Sequence, residues 1–308
     1  MDASQAVAPF LQYPFLELGR ILCGVLMLGV ASYTDVKSRK VPDDVWMVAS
    51  VVAFIFIAGE ILLSGVSLLY LLVLVPIVAL LLDVLDYYEI AEKRIGRDLF
   101  WPAMVAGLAA TVALLALVPW DARLLSLLMV PGFILLAYAF YATRLLHGGG
   151  DAKAFVAIAM LHPLWPAFMA LPLVQPTSRI AVAAPYGFVF FVLFYASLAS
   201  VLYFTPRNLL RNSRDPEAKA PFSTRALGHR MKIADAKNAF VWPMEVVRDG
   251  KVVRRTRPGD DDPKEEFEKL EKAGVKLAWI TPKIPFMVPL AVGYVVAVVV
   301  GNAILLLF

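Results

Sequence analysis

The sequence predicts an all-α integral membrane helical bundle of about eight transmembrane helices, with a small cytoplasmic α+β insert before the last helix. Three observations lead there. Hydrophobic residues make up 60% of the 308-residue chain and charged residues only 18%, with a mean hydropathy of +0.72; a soluble domain has nearer a quarter of its residues charged. Apolar runs of about 20 residues, the length that crosses the hydrocarbon core, recur along the chain. One polar block, punctuated by proline and glycine, interrupts them near the end. The organisation that follows is a membrane core over 1–205, an insert over 206–285 and a last helix over 286–308.

Taken in order, the apolar windows fall near 15–35, 45–64, 66–86, 99–119, 123–143, 152–172, 183–205 and 286–308. A short turn around Ser64-Gly65 separates the second from the third. His162, Pro163, Trp165 and Pro166 interrupt the sixth, which a buried helix tolerates only where neighbours satisfy the freed backbone groups. Orientation follows from the lysines and arginines of the short loops. With the N-terminus outside, the inner loops carry Lys37, Arg39, Lys40, Lys93, Arg94, Arg97, Arg144 and Lys153, against Arg20, Arg123 and Arg179 outside. The basic residues of the insert also fall inside. Residues 1–19 contain no Lys or Arg, so the basic start of a cleavable signal is missing. In the last window, Ala291, Gly293, Ala297 and Gly301 are spaced for close helix packing.

Within the insert, Val246 to Val253 reads as a hairpin turning at Asp249-Gly250. Asp262-Pro263 opens a helix over Lys264 to Lys272, closed by Gly274, and Lys276 to Ile280 forms a further strand. The insert shows no catalytic motif, and its basic surface suits anionic lipid headgroups. A net charge of +4 does not indicate nucleic acid here, because the basic residues sit where membrane topology wants them. The one cysteine, Cys23, has no disulfide partner and cannot build a paired-cysteine metal site. No metal or other cofactor is expected.

Ionisable groups within or at the ends of spans are costly and therefore informative. Asp35 ends the first span in Thr34-Asp35-Val36-Lys37-Ser38-Arg39-Lys40-Val41-Pro42-Asp43, and Asp151 opens the sixth in His147-Gly148-Gly149-Gly150-Asp151-Ala152-Lys153. The loop count places both at the same inner depth. Two close carboxylates tend to share a proton, so one acts as base on a water while the other protonates a carbonyl. Gly148, Gly149 and Gly150 remove side-chain bulk and allow unusual backbone angles, so an extended substrate backbone has room to approach.

Gly148-Gly149-Gly150-Asp151 resembles the Gly-x-Gly-Asp signature of intramembrane aspartyl proteases. Asp35, followed by Arg39 and Val41-Pro42-Asp43, resembles the first catalytic segment of type IV prepilin and archaeal preflagellin peptidases. Thr281 to Pro289 is similar to the C-terminal region of archaeal members. The resemblance implies an aspartic endopeptidase that removes short basic leader peptides from archaellin or pilin-like precursors on the cytoplasmic side, with Asp35 and Asp151 as its catalytic pair. It also implies the cytoplasmic membrane of a prokaryote, an archaeon by the C-terminal segment. Bacterial relatives carry a cysteine-rich segment linked to methylation, absent here, so cleavage alone is expected.

The family has about two spans between its aspartates, whereas four apolar windows separate Asp35 from Asp151. An extra helical hairpin preserves the parity, but it makes Asp86, and with it Asp83, a rival first acid. Neither is followed by the basic-x-apolar-Pro pattern, which favours Asp35. Plainer readings stand beside these. Asp151 suits the N-cap of the sixth span, and Asp35 suits a solvated loop beside Lys37 and Arg39. Asp43, Asp44, Glu89 and Glu92 form an inner acidic rim that would steer a basic leader, or are ordinary loop charges. Lys153 either favours the ionised pair or anchors a helix at the headgroups. His147 adjoins the glycines, His162 is expected to be packed in the bundle, and His229 to be solvent-exposed. The alternative from another class is a carboxylate-dependent proton- or cation-coupled transporter, whose acids would lie near the bilayer midplane on broken helices. A third is a noncatalytic membrane scaffold, indifferent to Asp151→Asn.

Overall fold

The computed structural model describes residues 13–84, 99–143, 149–163, 165–174, 187–255 and 262–303. Its elements, in chain order, begin with α1 (Pro14–Ser38) and α2 (Asp43–Leu63), then a 3-10 turn (Leu68–Val73) that continues into α3 (Leu74–Val84). Next come α4 (Phe100–Leu117), α5 (Ala122–Ala142), α6 (Gly149–Leu161) and α7 (Gly187–Ser213). The polar block holds α8 (Phe222–Leu227), β1 (His229–Lys232), α9 (Ile233–Ala236), β2 (Val241–Pro243), β3 (Glu245–Arg248), β4 (Lys251–Arg254), α10 (Pro263–Lys272) and β5 (Leu277–Pro282). Helix α11 (Met287–Val300) follows. The chain divides into two compact units, Met1–Ser197 with Phe286–Phe308, and Leu198–Pro285.

Every apolar window contains helix, but among the described residues only five helices are long and apolar enough to cross a membrane. These correspond to α1, α2, α4, α5 and α7, while Leu68–Leu82 and Met287–Val300 form shorter apolar helices. The expected count of eight full spans is therefore not confirmed among the described residues. The sixth window departs most: α6 stops at Leu161 instead of running to residue 172. The cause is local. His162 N–H closes the last turn on the Ile158 carbonyl at 2.9 Å, and Pro163 has no N–H with which to continue. Beyond it, Phe168 and Leu171 exchange backbone hydrogen bonds at 3.1 and 3.0 Å. Leu173 and Val174 then donate their N–H groups to the carbonyls of Val299 and Val300, both at 2.9 Å. This satisfies acceptors that the end of α11 leaves without intrahelical partners.

Helix α6 is the centre of the first unit. It packs against α1, α2 and α5, and every residue from Ala152 to Leu161 is buried. Apolar tails of lipid offer little driving force between helices, so close backbone approach through small residues matters more. Tyr294 of α11 seats its hydroxyl where a Cβ on Gly24 of α1 would stand, only 2.2 Å away. Gly293 likewise lets α11 meet the backbone of α7, since a Cβ there would lie 2.4 Å from the Val192 carbonyl oxygen. This is the packing role the spacing of small residues predicts for that helix.

The second unit is α+β. Its sheet is three-stranded and antiparallel in the order β1-β5-β2, with β3 and β4 pairing as a separate hairpin. The hairpin turns at Asp249 (φ 50°) and Gly250 (φ 72°), the two positive φ values a type I′ turn requires. Asp262 caps α10 by accepting from Lys264 N–H at 3.0 Å, and Gly274 (φ 81°) follows its end. Phe267 and Leu270 of α10 bury against Ile233, Val241, Ala278 and Ile280 to form the core. His229 is a correction: it is buried, with 6% exposure. Its Nδ1 lies 3.3 Å from Asn208 Oδ1 and its Nε2 takes a hydrogen bond from Arg211 at 2.9 Å. Burial first, then the charges of Arg211 and Arg207, hold its pKa down to about 4.

Candidate functional site

Asp35 lies in the last turn of α1, which ends because Arg39 turns left-handed (φ 57°) and donates its N–H to the Asp35 carbonyl at 2.9 Å. Pro42, extended at φ −60° and ψ 143°, then opens α2. Asp43 and Asp44 fall in the first turn of that helix, where the macrodipole favours negative charge. Asp151 is the third residue of α6. It is therefore inside the first turn, not at the N-cap position expected from the sequence.

Contact between α1 and α6 brings the two acids into electrostatic range. Asp151 stands one residue ahead of the buried run that begins at Ala152, and its carboxyl is pushed up to about 7, first by burial and then by the Asp35 charge. The Asp35 carboxylate accepts a hydrogen bond from the N–H of Met287, the first residue of α11, at 3.1 Å. Among the described residues the side chain of Asp151 accepts no such bond.

Lys153 is not an exposed cation. Its side chain is buried, and its ammonium bonds Asp43 Oδ1 at 2.8 Å, tying the start of α6 to the first turn of α2. The Asp43 end of this pair is half exposed, and Asp44 is exposed. Gly149 and Gly150 are helical with ordinary backbone angles, so the expected unusual conformation is not found at these two positions. The space they leave is real: a Cβ on Gly150 would meet nothing within 4 Å, and one on Gly149 only the Tyr141 ring at 4.0 Å. Gly148, His147, Asp86, Glu89 and Glu92 lie outside the described residues, and Asp83 falls in the last turn of α3. An apolar cavity of about 440 Å³ lies between α1 and α2, lined by Met27, Val30, Val48 and Leu161, with Asp44 in its wall. Among the described residues no group of His, Cys, Asp or Glu is arranged to hold a metal ion.

A second polar cluster was not foreseen. Arg20, read from the loops as an outer cation, is buried in α1, with 4% exposure. It donates to Glu17 at 2.6 Å and to Glu60 of α2. Nearby in sequence terms only Glu17 signals this, one turn away at i,i+3. His162 is packed as expected, its Nε2 2.7 Å from the Tyr294 hydroxyl. Both groups sit at the opposite end of α1 and α6 from Asp35 and Asp151.

Fold and site together define a multi-pass α-helical membrane protein with a pair of interacting carboxylates at one end of its central helix. Its relatives are more specific. Residues 220–303 match the family described as Archaeal Peptidase A24 C-terminus Type II. The chain is similar to the preflagellin peptidase of Methanocaldococcus jannaschii, 25% identical over 223 residues, which is 72% of this chain and 91% of that protein. It is also similar to the preflagellin peptidase of Methanococcus maripaludis, 26% identical over 181 residues, covering 57% of this chain and 73% of that one. The resemblance to archaeal preflagellin peptidases read from the motifs is thus borne out.

Proposed function

We propose that this chain is an aspartic endopeptidase of the archaeal cytoplasmic membrane that removes short basic leaders from archaellin or pilin-like precursors, using Asp35 and Asp151. The observation that carries the proposal is the charge interaction between these two acids across the α1–α6 contact, in a chain similar over most of its length to preflagellin peptidases. A pair sharing one proton suits water-mediated peptide hydrolysis, in which base and acid must coexist in one site. Transport is not favoured by these relatives.

The remaining features fit the same reading. With the N-terminus outside, both acids face the cytoplasm, where a leader still attached to its precursor is found. Asp43 and Asp44 supply negative charge beside the pair, matching a basic leader. Open space at Gly150 leaves room for an extended backbone.

The test is cleavage of a panel of archaellin and pilin precursors by membranes containing wild type, Asp35→Asn, Asp86→Asn or Asp151→Asn. Shortening by wild type and Asp86→Asn, with the other two inert, is expected. Activity in Asp35→Asn together with loss in Asp86→Asn would move the first acid to Asp86. Equal cleavage by all four, or none by folded wild type, would overturn the peptidase reading.

A further inference from the structure

The two acids are held differently, and the difference assigns their roles. Helix α11 begins at Met287 without a side-chain cap from Phe286, its own N-cap residue. The missing acceptor comes instead from a residue distant in sequence: Asp35 Oδ2 takes the Met287 N–H at 3.1 Å. One turn earlier on α1, the Ser32 hydroxyl donates to the Met287 carbonyl at 2.9 Å. The first residue of α11 is thus clamped to α1 through both its backbone polar groups. An anion at a helix N-terminus is favoured by the free N–H groups and by the macrodipole. Asp151 has the opposite setting, half-buried at the mouth of α6 with no donor to its carboxylate among the described residues.

We propose that the acids hold fixed and unequal roles: Asp35, capped by the amino end of α11, is the base, and Asp151 is the acid that carries the proton, with Ser32 a positioning residue. This rests on the aspartic peptidase reading and deepens it. In the first step Asp35 takes a proton from water as the water oxygen bonds the peptide carbonyl carbon, while the Asp151 proton passes to the carbonyl oxygen. In the second, the proton on Asp35 passes to the leaving nitrogen as the C–N bond breaks, and one hydroxyl of the diol returns its proton to Asp151. The products are a carboxylic acid and an amine, and both aspartates end as they began.

Among the described residues, the other charged and titratable groups at this end come from the helices packed around the pair. The end of α1 and the turn after it carry Lys37, Arg39 and Lys40; α2 brings Asp43 and Asp44, and α6 brings Lys153, which is paired with Asp43. Helix α5 brings Tyr138 and Tyr141 to this end, and α11 has no charged side chain between Met287 and Val300. Among the described residues, the Met287 N–H is a donor that Asp35 has and Asp151 lacks.

Infrared titration of the full chain in lipid nanodiscs tests the assignment without relying on cleavage. The carbonyl band of a protonated carboxylic acid should titrate near pH 7 in wild type. It should vanish from Asp151→Asn and persist in Asp35→Asn, there titrating at lower pH because the neighbouring charge is gone. A band lost in Asp35→Asn and kept in Asp151→Asn, or altered in neither, overturns the assignment. Precursor cleavage by wild type, scored separately, reports on the peptidase reading itself. For the clamp, Ser32→Ala should lower kcat several-fold with KM unchanged, and Ser32→Thr should restore it. A Ser32→Ala enzyme with wild-type kcat, or a KM change alone, removes Ser32 from its role.

Discussion

Replacing Asp151 by asparagine should stabilise the protein while inactivating it, and the stabilisation should depend on pH. The carboxyl of Asp151 is held up at about 7 against an ordinary value of 3.8. A gap of that size corresponds to about 4 kcal/mol of disfavoured ionisation; partial solvation at the helix mouth reduces the expected effect to about 2 kcal/mol. The sign follows from proton counting. Between the two values the folded chain keeps a proton that the unfolded chain releases, so stability falls as pH rises through this window and levels off above about 7. Asparagine cannot ionise and escapes that loss. Near pH 4 the variant should therefore match wild type in thermal unfolding, and at pH 8 it should melt several degrees higher. Unfolding followed by tryptophan fluorescence in detergent at both pH values gives the comparison. A variant less stable than wild type at pH 8, or a difference that ignores pH, would refute the burial of an ionising acid at this position. The same logic predicts that wild-type cleavage declines above about pH 7 as Asp151 loses its proton.

Four further outcomes are expected. Gly150→Ala should leave the fold intact or gain up to about 1 kcal/mol of helix stability, because its Cβ enters open space. If substrate backbone passes there, kcat/KM falls in a cleavage assay; unchanged cleavage would remove the glycine from the site. Gly293→Ala should destabilise by about 2 kcal/mol or more in thermal unfolding, since its Cβ would lie 2.6 Å from the Ala196 amide nitrogen of α7. Arg20→Met should lose about 3 kcal/mol or more by stranding Glu17 and Glu60, and adding Glu17→Gln and Glu60→Gln should recover most of it. In the second unit His229 is held neutral at about 4, so stability should fall as pH drops from about 6.5 towards 4; His229→Gln should blunt that fall in a fluorescence-monitored acid titration.

Much of this molecule is legible from local pattern. Apolar length marks every described helix of the bundle, and the Asp249-Gly250 turn and the Asp262-Pro263 helix start follow from backbone chemistry confined to a few residues. Asp35 and Asp151 stood out because charge at a span end is rare. The remainder depends on partners far away in sequence. Hydropathy reports that residues 152–172 are apolar but not that Pro163 ends their helix. Arg20 reads as an interfacial cation until Glu60, forty residues on, is seen beside it. His229 looks exposed within a polar segment because its burial comes from Asn208 and Arg211. The cap on Asp35 spans 252 positions of chain, and no spacing within a single helix announces it.

The complete enclosure of α6 also bears on how this sequence can drift. A helix on the rim of a membrane bundle has a lipid-facing stripe on which one apolar residue replaces another freely, so substitutions pass at intervals set by the helical turn. From Ala152 to Leu161 no such stripe exists. Alanines at 152, 154, 157 and 159 are all walled in by neighbours, and interiors packed this closely resist added methylene groups. Selection should therefore act on this segment as an uninterrupted block, and a new side chain there needs a compensating change on α1, α2 or α5. The acid at its mouth thus stands on the least negotiable stretch of the chain.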